Sequence, residues 1–392
     1  MLSLRTALAA TAAAALVATP ALAAPTQGHD QPRKPSKIQM KDFPKTIESG
    51  SWDTSHIQGI AIDKKRGFVY HSFTQMLVKT DLQGNVISTV SGFTGHLGDL
   101  DFNEVDGRVY GSLEYKAAKA FYIAIIDVDK MTEVGMDAEK SGVVSTVHLS
   151  EVVKDFTADM DGNGTFDGDV AETADHRYGC SGIDGVSFGP AFGRKGGKQM
   201  LSVAYGIYRN VERTDNDEQV LLQYDISDWA KYEKPLTQAD PHRSGPKRVG
   251  GKYFVRTGNT TYGVQNLTYD AATHQWFMGV YRGTKPEFPN RLLYVVDGNA
   301  KPRLKKLVGQ EPLEYGMSIP LSKKGLRHPS GIRGFEFKAD VGIEPIGNGY
   351  FYVVKDFDDL SSGKKKEAGT LELHKWTGKS PAGLEPVERV GR

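Results

Sequence analysis

The chain has 392 residues and almost no net charge, because 49 lysines and arginines are balanced by 48 aspartates and glutamates. With this balance the sequence shows no electrostatic footprint for binding to nucleic acids or anionic membranes, so no nucleic-acid partner is expected. Cys180 is the single cysteine, which excludes an intramolecular disulfide, and we predict that its thiol is buried and inert.

The N-terminal segment has the features of a secretory signal peptide. The basic residue Arg5 precedes an alanine-rich apolar stretch, and Pro20–Ala23 supplies small residues for cleavage. We therefore predict a signal peptide over residues 1–23, which makes the mature protein secreted and extracellular. Residues 24–39 are polar and proline-containing and are predicted to form a flexible spacer. No later stretch approaches the roughly 18 apolar residues of a membrane span.

A short phrase that recurs five times from residue 57 onward predicts the fold. Each copy has an aliphatic first residue, a turn-tolerant third residue (Gly, Asp or Asn), and apolar fourth and sixth residues. The copies are Ile57–Ile62, Leu97–Phe102, Ile183–Phe188, Val264–Tyr269 and Ile332–Phe337. Further strand-like runs follow each copy, and such self-similarity at intervals of tens of residues is typical of repeat proteins.

Four-stranded antiparallel units in radial repetition make a β-propeller. The chain is therefore predicted to be all-β, with five four-stranded blades forming a single domain over residues 40–392. Six blades are the alternative if a divergent blade lies in the long insertions. A β-sandwich is a weaker alternative, because it does not explain the repeated phrase.

The last two blades and the helices are predicted less directly. Leu304–Val308 is the expected fourth strand of the fourth blade. The fifth repeat lacks a fourth strand of its own, which either Lys45–Trp52 or Leu384–Val390 could supply to close the ring. Short helices are expected only at Ser150–Phe156 and near Trp229.

The sharpest motif lies in an insertion over residues 131–182. Carboxylate and amide side chains alternate in a D-x-D-x-N-G-x-x-D pattern that places oxygen donors around one cation, and Gly164 permits the sharp turn. The twelfth position is Val170 rather than glutamate, so the segment resembles only the start of EF-hand and dockerin loops. We predict a stand-alone Ca²⁺ site with a structural role, and a hydrated turn without metal is the alternative. The predicted ligands are Asp159, Asp161, Asn163, Thr165, Asp167 and Asp169.

The blade pattern resembles secreted β-propeller proteins, whose ligands bind over the central channel. This resemblance implies that the turns before the innermost strands and those after the second strands meet at the channel mouth. The predicted catalytic residues at these positions are His56, His96, Asp99, Glu114, Asp184, Tyr205, His328 and Asp356. The predicted substrate-binding residues are Gln58, Arg209, Gln265, Arg282, Arg333 and Lys355. The alternative is that these polar groups only satisfy strand-end backbone groups and each other.

This set of residues fits more than one function. Paired carboxylates suit a glycoside hydrolase, whereas histidine or tyrosine beside arginine or lysine suits a polysaccharide lyase. The set differs from blade to blade, which indicates one asymmetric site and favours a monomeric extracellular enzyme acting on a polysaccharide or another anionic, sugar-like ligand. The alternatives are a non-catalytic carbohydrate-binding or adhesion propeller and a calcium-dependent phosphoesterase. A zinc-binding site formed by His56, His96 and His328 is a weaker alternative.

Overall fold

The structure, a computed structural model, describes residues 38–391 and contains five small sheets arranged as a five-bladed β-propeller. The predicted all-β class and blade number are therefore confirmed. The predicted signal peptide (residues 1–23) and nearly all of the predicted spacer (residues 24–39) lie outside the described residues. Among the helices that the structure describes, none is long and apolar enough to cross a membrane.

Blades 1 and 2 have the predicted order of four antiparallel strands, each with a short added strand at its outer edge. Blade 1 consists of β2 (Ile57–Asp63), β3 (Phe68–Phe73), β4 (Met76–Asp81) and β5 (Val86–Ser91), with β9 (Met136–Asp137) at the edge. Blade 2 consists of β6 (His96–Asn103), β7 (Arg108–Tyr115), β8 (Ala120–Ile126) and β10 (Val144–His148), with β14 (Lys234–Pro235) at the edge.

The outer strands of blades 3 and 4 differ from the predicted ones. Blade 3 consists of β11 (Cys180–Pro190), β12 (Gln199–Ile207), β13 (Glu218–Tyr224) and β15 (Gly251–Arg256), extended by β20 (Tyr315–Ser318) and β19 (Arg303–Lys306). Blade 4 has three strands, β16 (Thr261–Asp270), β17 (Gln275–Tyr281) and β18 (Leu293–Asp297). The assignment of Leu304–Val308 to blade 4 is wrong, because β19 pairs with β20, and β20 pairs with the outer strand of blade 3.

Blade 5 closes the ring with a strand from the N-terminal side of the chain. It consists of β23 (Ile343–Gly347), β24 (Tyr350–Asp359), β25 (Lys366–Trp376) and β1 (Thr46–Trp52), and β26 (Leu384–Pro386) pairs with the end of β25. Both segments proposed to complete this blade therefore pair with β25. The longer ladder belongs to β1, which joins the first described strand to the last blade.

The fifth copy of the repeated phrase does not form an innermost strand, so that part of the prediction is wrong. Within it, β22 (Arg333–Gly334) pairs with β21 (Leu326–Arg327) in a separate two-stranded hairpin. The innermost strand of blade 5 is instead β23, which precedes β24 by a tight turn through Asn348 and Gly349, both with positive φ. Only β23 lies close enough to β24 along the chain to form this hairpin.

The predicted helices and buried core residues are present, but three 3₁₀ turns, at Met40–Asp42, Lys116–Ala118 and Arg177–Gly179, were not predicted. Helix α1 (Ser150–Phe156) is the only α-helix in the described part of the chain, and Trp229–Lys231 forms a single 3₁₀ turn. Trp276 and Trp376 are buried between strands, as expected for blade packing. Cys180 is fully buried, and burial raises the pKa of its thiol.

Hydrogen bonds tie the innermost strands together at the centre of the ring. The Asp99 carboxylate on β6 accepts hydrogen bonds from the backbone N–H groups of Val186 on β11 (3.0 Å) and Leu267 on β16 (2.9 Å). It also accepts one from the Asn266 side-chain amide (2.7 Å), and that amide donates to the carbonyl oxygen of Gln58 on β2 (2.8 Å). One carboxylate and one amide therefore join the innermost strands of four blades. We call these two side chains the central network.

The third position of the repeated phrase is where these strands approach one another. A Cβ at Gly59 would lie 2.6 Å from the Asp99 carboxylate and 2.7 Å from its Cα atom, closer than real Cβ contacts allow. Glycine is thus required at this position by the close approach of β2 to β6.

Replacing Asp99 by alanine tests the central network. Asp99→Ala leaves two buried backbone N–H groups without acceptors, so we expect the free energy of unfolding to fall by about 3 kcal/mol. Urea denaturation followed by tryptophan fluorescence measures this change. The matched control is Asp240→Ala at an exposed carboxylate, with an expected change below about 0.5 kcal/mol. Equal stability of the two variants would contradict the role given to Asp99.

Candidate active site

A cavity of about 730 Å³ lies where blades 1 to 4 present the starts of their innermost strands and the ends of their second strands. This is the channel mouth that the sequence predicts. Six of the predicted site residues line it: His56, Gln58, His96, Glu114, Asp184 and Gln265. Their catalytic and substrate-binding roles stay predictions, but the structure brings these residues into one cavity.

The other predicted site residues lie elsewhere. Asp99 belongs to the central network, and the buried Tyr205 hydroxyl donates a hydrogen bond to Asp155 (2.7 Å). Asp356 pairs with Lys338 (2.6 Å), and Arg282 pairs with Glu336 (2.7 Å). Four further predicted residues also lie outside the cavity. Arg209 and Lys355 are exposed, whereas His328 and Arg333 belong to the β21–β22 hairpin region. The last two were misplaced because the fifth phrase is not an innermost strand.

The centre of the cavity is a cluster of charged and titratable side chains. The Nδ1 atom of His96 lies 3.7 Å from a Glu114 carboxylate oxygen and 3.6 Å from an Asp184 carboxylate oxygen. Lys116 Nζ lies 3.4 Å from the same Glu114 oxygen. Among the described residues, neither His96 Nδ1 nor the Asp184 oxygen facing it has a hydrogen-bond partner. Both atoms are buried, and their hydrogen-bonding capacity is unused within the described part of the chain.

Burial sets the protonation states of this cluster. It raises the pKa of Glu114, although the positive charge of Lys116 opposes that rise. Burial also raises the pKa of Asp184 well above the ordinary value, and the nearby Glu114 charge adds to the effect. Burial also lowers the pKa of His96 to about 4, and the positive charge of Lys116 adds to the effect. At neutral pH the cluster therefore holds a neutral imidazole and a carboxyl group able to retain a proton.

The carboxyl groups are held in place by neighbouring strands. A Glu114 oxygen accepts a hydrogen bond from the backbone N–H of Ile183 (3.1 Å), and the second Asp184 oxygen accepts one from the Gln265 amide (3.1 Å). Gly182 has φ +129°, and a Cβ there would lie 2.0 Å from Glu114. The absence of a side chain at this glycine thus makes room for the carboxylate.

The cavity walls carry amide and aromatic side chains, which the sequence indicates only in part. The tyrosines Tyr115 and Tyr281 stand at the ends of second strands, and the Tyr281 hydroxyl lies 3.5 Å from His56. Gln238 also lines the cavity and accepts a hydrogen bond from the Tyr115 hydroxyl (2.9 Å). It lies in the long segment that follows β13, the third strand of blade 3, and no local sequence pattern marks it as a site residue. Tyr262, which has positive φ, was missed for the same reason.

The acidic loop of the insertion brings three carboxylates together. Asp159, Asp161 and Asp175 each offer an oxygen, and these oxygens lie within 4.8 Å of one another. Asp175 is buried and lies outside the sequence motif, so it was not predicted.

The remaining predicted ligands take other partners or face solvent. Asp167 accepts a hydrogen bond from the Thr173 hydroxyl, and Asp169 accepts one from the Tyr208 hydroxyl. Asp169 also lies 4.0 Å from Lys116, which links the loop to the cavity. Asn163 and Thr165 are exposed.

No protein-family model matches the chain, and no curated protein matches it. Solved structures that it resembles include hydrazine synthase from Kuenenia stuttgartiensis (10% identity, TM-score 0.35) and Sqt1 from Saccharomyces cerevisiae (11%, TM-score 0.31). The matches cover 76% and 82% of this chain but only 61% and 60% of those chains. An exo-beta-1,3-galactanase from Phanerochaete chrysosporium matches at 10% identity and TM-score 0.39, over 88% of this chain and 68% of that chain. Likenesses this distant carry no argument about activity.

The low pKa of His96 can be measured directly. A pKa of about 4 means that the imidazole stays neutral from pH 5.5 to pH 8, so its NMR resonances should not move over that range. Assignment comes from the spectrum of His96→Gln, in which only these resonances should be absent. A titration midpoint between pH 6 and 7 would contradict the described environment.

Proposed function

We propose that the protein is a secreted, calcium-binding β-propeller enzyme that hydrolyses glycosidic bonds of a polysaccharide at the channel mouth. The observation that carries this proposal is the pair of buried carboxyl groups, Glu114 and Asp184, each with an oxygen within 3.7 Å of the Nδ1 atom of the neutral His96. Two carboxyl groups with different environments are what glycoside hydrolysis requires. The secretion part rests on the sequence features of residues 1–23.

The surroundings of the two carboxyl groups assign their roles. Burial raises the pKa of Asp184 well above its ordinary value, although the hydrogen bond donated by the Gln265 amide opposes that rise, so Asp184 serves as the general acid that protonates the leaving glycosidic oxygen. Glu114 is paired with Lys116, which favours its carboxylate form. As a carboxylate it stabilises the positive charge that develops on the sugar ring and takes the proton of the attacking water.

The walls of the cavity fit neutral sugar units. Tyrosine rings offer apolar faces with a polar edge, and glutamine amides both donate and accept hydrogen bonds to hydroxyl groups. Among the described residues lining the cavity, Lys116 is the one lysine or arginine, and the arginines predicted to bind substrate lie elsewhere. With this cation already paired to Glu114, hydrolysis is favoured over the lyase reaction, which needs neutralisation of a uronate.

We further propose that the acidic loop binds Ca²⁺ in a structural role. Carboxylate oxygens are the ligands that Ca²⁺ prefers, and Asp159, Asp161 and Asp175 offer three within reach of one ion. A cation there would offset the repulsion among these carboxylates. The same loop carries Asp169, so its order also affects the surroundings of Lys116.

Isosteric amide variants test the carboxyl pair. Glu114→Gln and Asp184→Asn keep the shape of the side chains but remove the acid or base, so we expect each to lower kcat at least about 100-fold. The measurement is reducing-end release from a panel of plant, algal and bacterial polysaccharides, recorded together with the absorbance of unsaturated uronates. The controls Arg209→Gln and Lys355→Gln alter exposed side chains outside the cavity and should retain full activity.

The outcomes of this assay separate the functions. Reducing ends without unsaturated product support hydrolysis, whereas unsaturated product makes the protein a lyase. If the protein binds a polysaccharide but releases no product, it is a carbohydrate-binding propeller. Full activity of both amide variants would remove the catalytic role of the cavity.

Removal of calcium should destabilise the protein. A ligand that binds only the folded state raises its stability, so a chelator should lower the Tm measured by calorimetry. The double variant Asp159→Asn/Asp161→Asn should have the lower Tm already and show no further change with chelator, whereas Asp240→Asn should respond as wild type does. An unchanged Tm with chelator, together with no calcium in elemental analysis of the purified protein, would refute the calcium site.

A further inference from the structure

A second concave surface lies away from the channel-mouth cavity, beside the strands that extend blade 3. It is a cavity of about 480 Å³ bordered by β19, by the end of β20 and by residues near β22. A smaller cavity of about 240 Å³ adjoins it, because Lys305, Ser318 and Pro320 line both. We call the two adjoining cavities together the basic groove.

The groove concentrates positive charge. The lysines and arginines that line it are Arg256, Lys301, Arg303, Lys305, Lys306, Lys323 and Arg333. Within residues 38–391, Arg256 alone among these has a carboxylate oxygen within 4.0 Å, that of Glu218, at 4.0 Å. The Nη1 atom of Arg256 is buried without a hydrogen-bond partner in the same part of the chain. Most of this charge is therefore not neutralised by the protein itself.

Glu218 is the one acidic side chain among the described residues of the groove. Burial raises its pKa to about 7, while the positive charge of Arg256 opposes the shift. Near neutral pH it therefore carries only part of a negative charge. The seven positive side chains repel one another, and an anion bound among them would relieve that repulsion.

We propose that the basic groove binds a linear anionic polysaccharide, one that carries carboxylate or sulfate groups. Its cations are distributed over two adjoining cavities, and Arg303, Lys305 and Lys306 lie along β19, which suits a chain of repeated charges rather than a single small anion. No aromatic side chain lines either cavity in the described residues, so the groove lacks the rings on which nucleic-acid bases stack. The proposal does not depend on catalysis at the channel mouth.

Affinity electrophoresis of the full-length mature protein tests this inference. Gels containing polygalacturonate or dextran sulfate should retard the wild-type protein, whereas uncharged dextran should not. Retardation should weaken as NaCl rises, because salt screens exposed charges. Separate gels with the two polymers show whether the groove favours carboxylate or sulfate groups.

Charge reversal within the groove should remove the binding. Lys305→Glu/Lys306→Glu is expected to raise the Kd for the anionic polymer at least 10-fold, and Lys301→Glu/Lys323→Glu should act in the same direction. The matched control is Lys195→Glu/Lys364→Glu, which makes the same change in net charge at exposed lysines elsewhere and should leave Kd within about twofold. Equal Tm values verify that all variants are folded.

Three results would overturn the proposal. These are equal loss of binding in the groove and control variants, retardation by uncharged dextran, and tighter binding of single-stranded DNA than of either polysaccharide. The variant Glu114→Gln separates this inference from the proposed activity. Binding to the anionic polymer should persist in that variant. Loss of binding would show that the polymer binds at the channel mouth and not in the basic groove.

Discussion

The hydrogen bonds that Asp99 accepts from neighbouring innermost strands are the constraint on which the rest of the structure depends. Buried backbone groups of the innermost strands that do not pair within their own blade need a hydrogen-bond partner elsewhere. Asp99 and Asn266 provide these partners for four blades at once. The innermost strands are thereby fixed relative to one another, and so are the residues at their ends. The cavity containing His96 and Asp184 is a consequence of that arrangement.

The sequence predicts the fold well wherever the repeated phrase reflects this central packing. Glycine at position 59 and aspartate at position 99 stand where the strands meet, so the pattern has a physical cause there. The fifth copy has the same pattern of residues without the same contacts, and the innermost strand of blade 5 is β23 instead. A pattern of apolar residues cannot distinguish these two segments, whereas the short turn before β24 can. His328 and Arg333 were assigned to the channel mouth on this mistaken basis.

The candidate site could be predicted where the chain enters or leaves a strand of a blade, but not where distant segments meet. Gln238 and Asp175 reach their positions through loops whose course depends on tertiary contacts, and nothing nearby in the sequence marks them. Net charge likewise conceals how charge is distributed. The whole chain carries +1, yet the cavity has its lysine paired with Glu114, while all the cations of the basic groove except Arg256 lack a carboxylate partner within the described residues. The two surfaces therefore suit ligands of different charge.

A crystal structure of Glu114→Gln with a fragment of the polysaccharide that the wild-type protein cleaves tests the central claim most directly. The account predicts a sugar unit in the channel-mouth cavity, with its glycosidic oxygen within hydrogen-bond distance of Asp184 and its hydroxyl groups bonded to His96 and the glutamine amides. A fragment bound only in the basic groove, or bound in the cavity with its glycosidic oxygen away from both carboxyl positions, would contradict the assignment of this cavity as the site of hydrolysis.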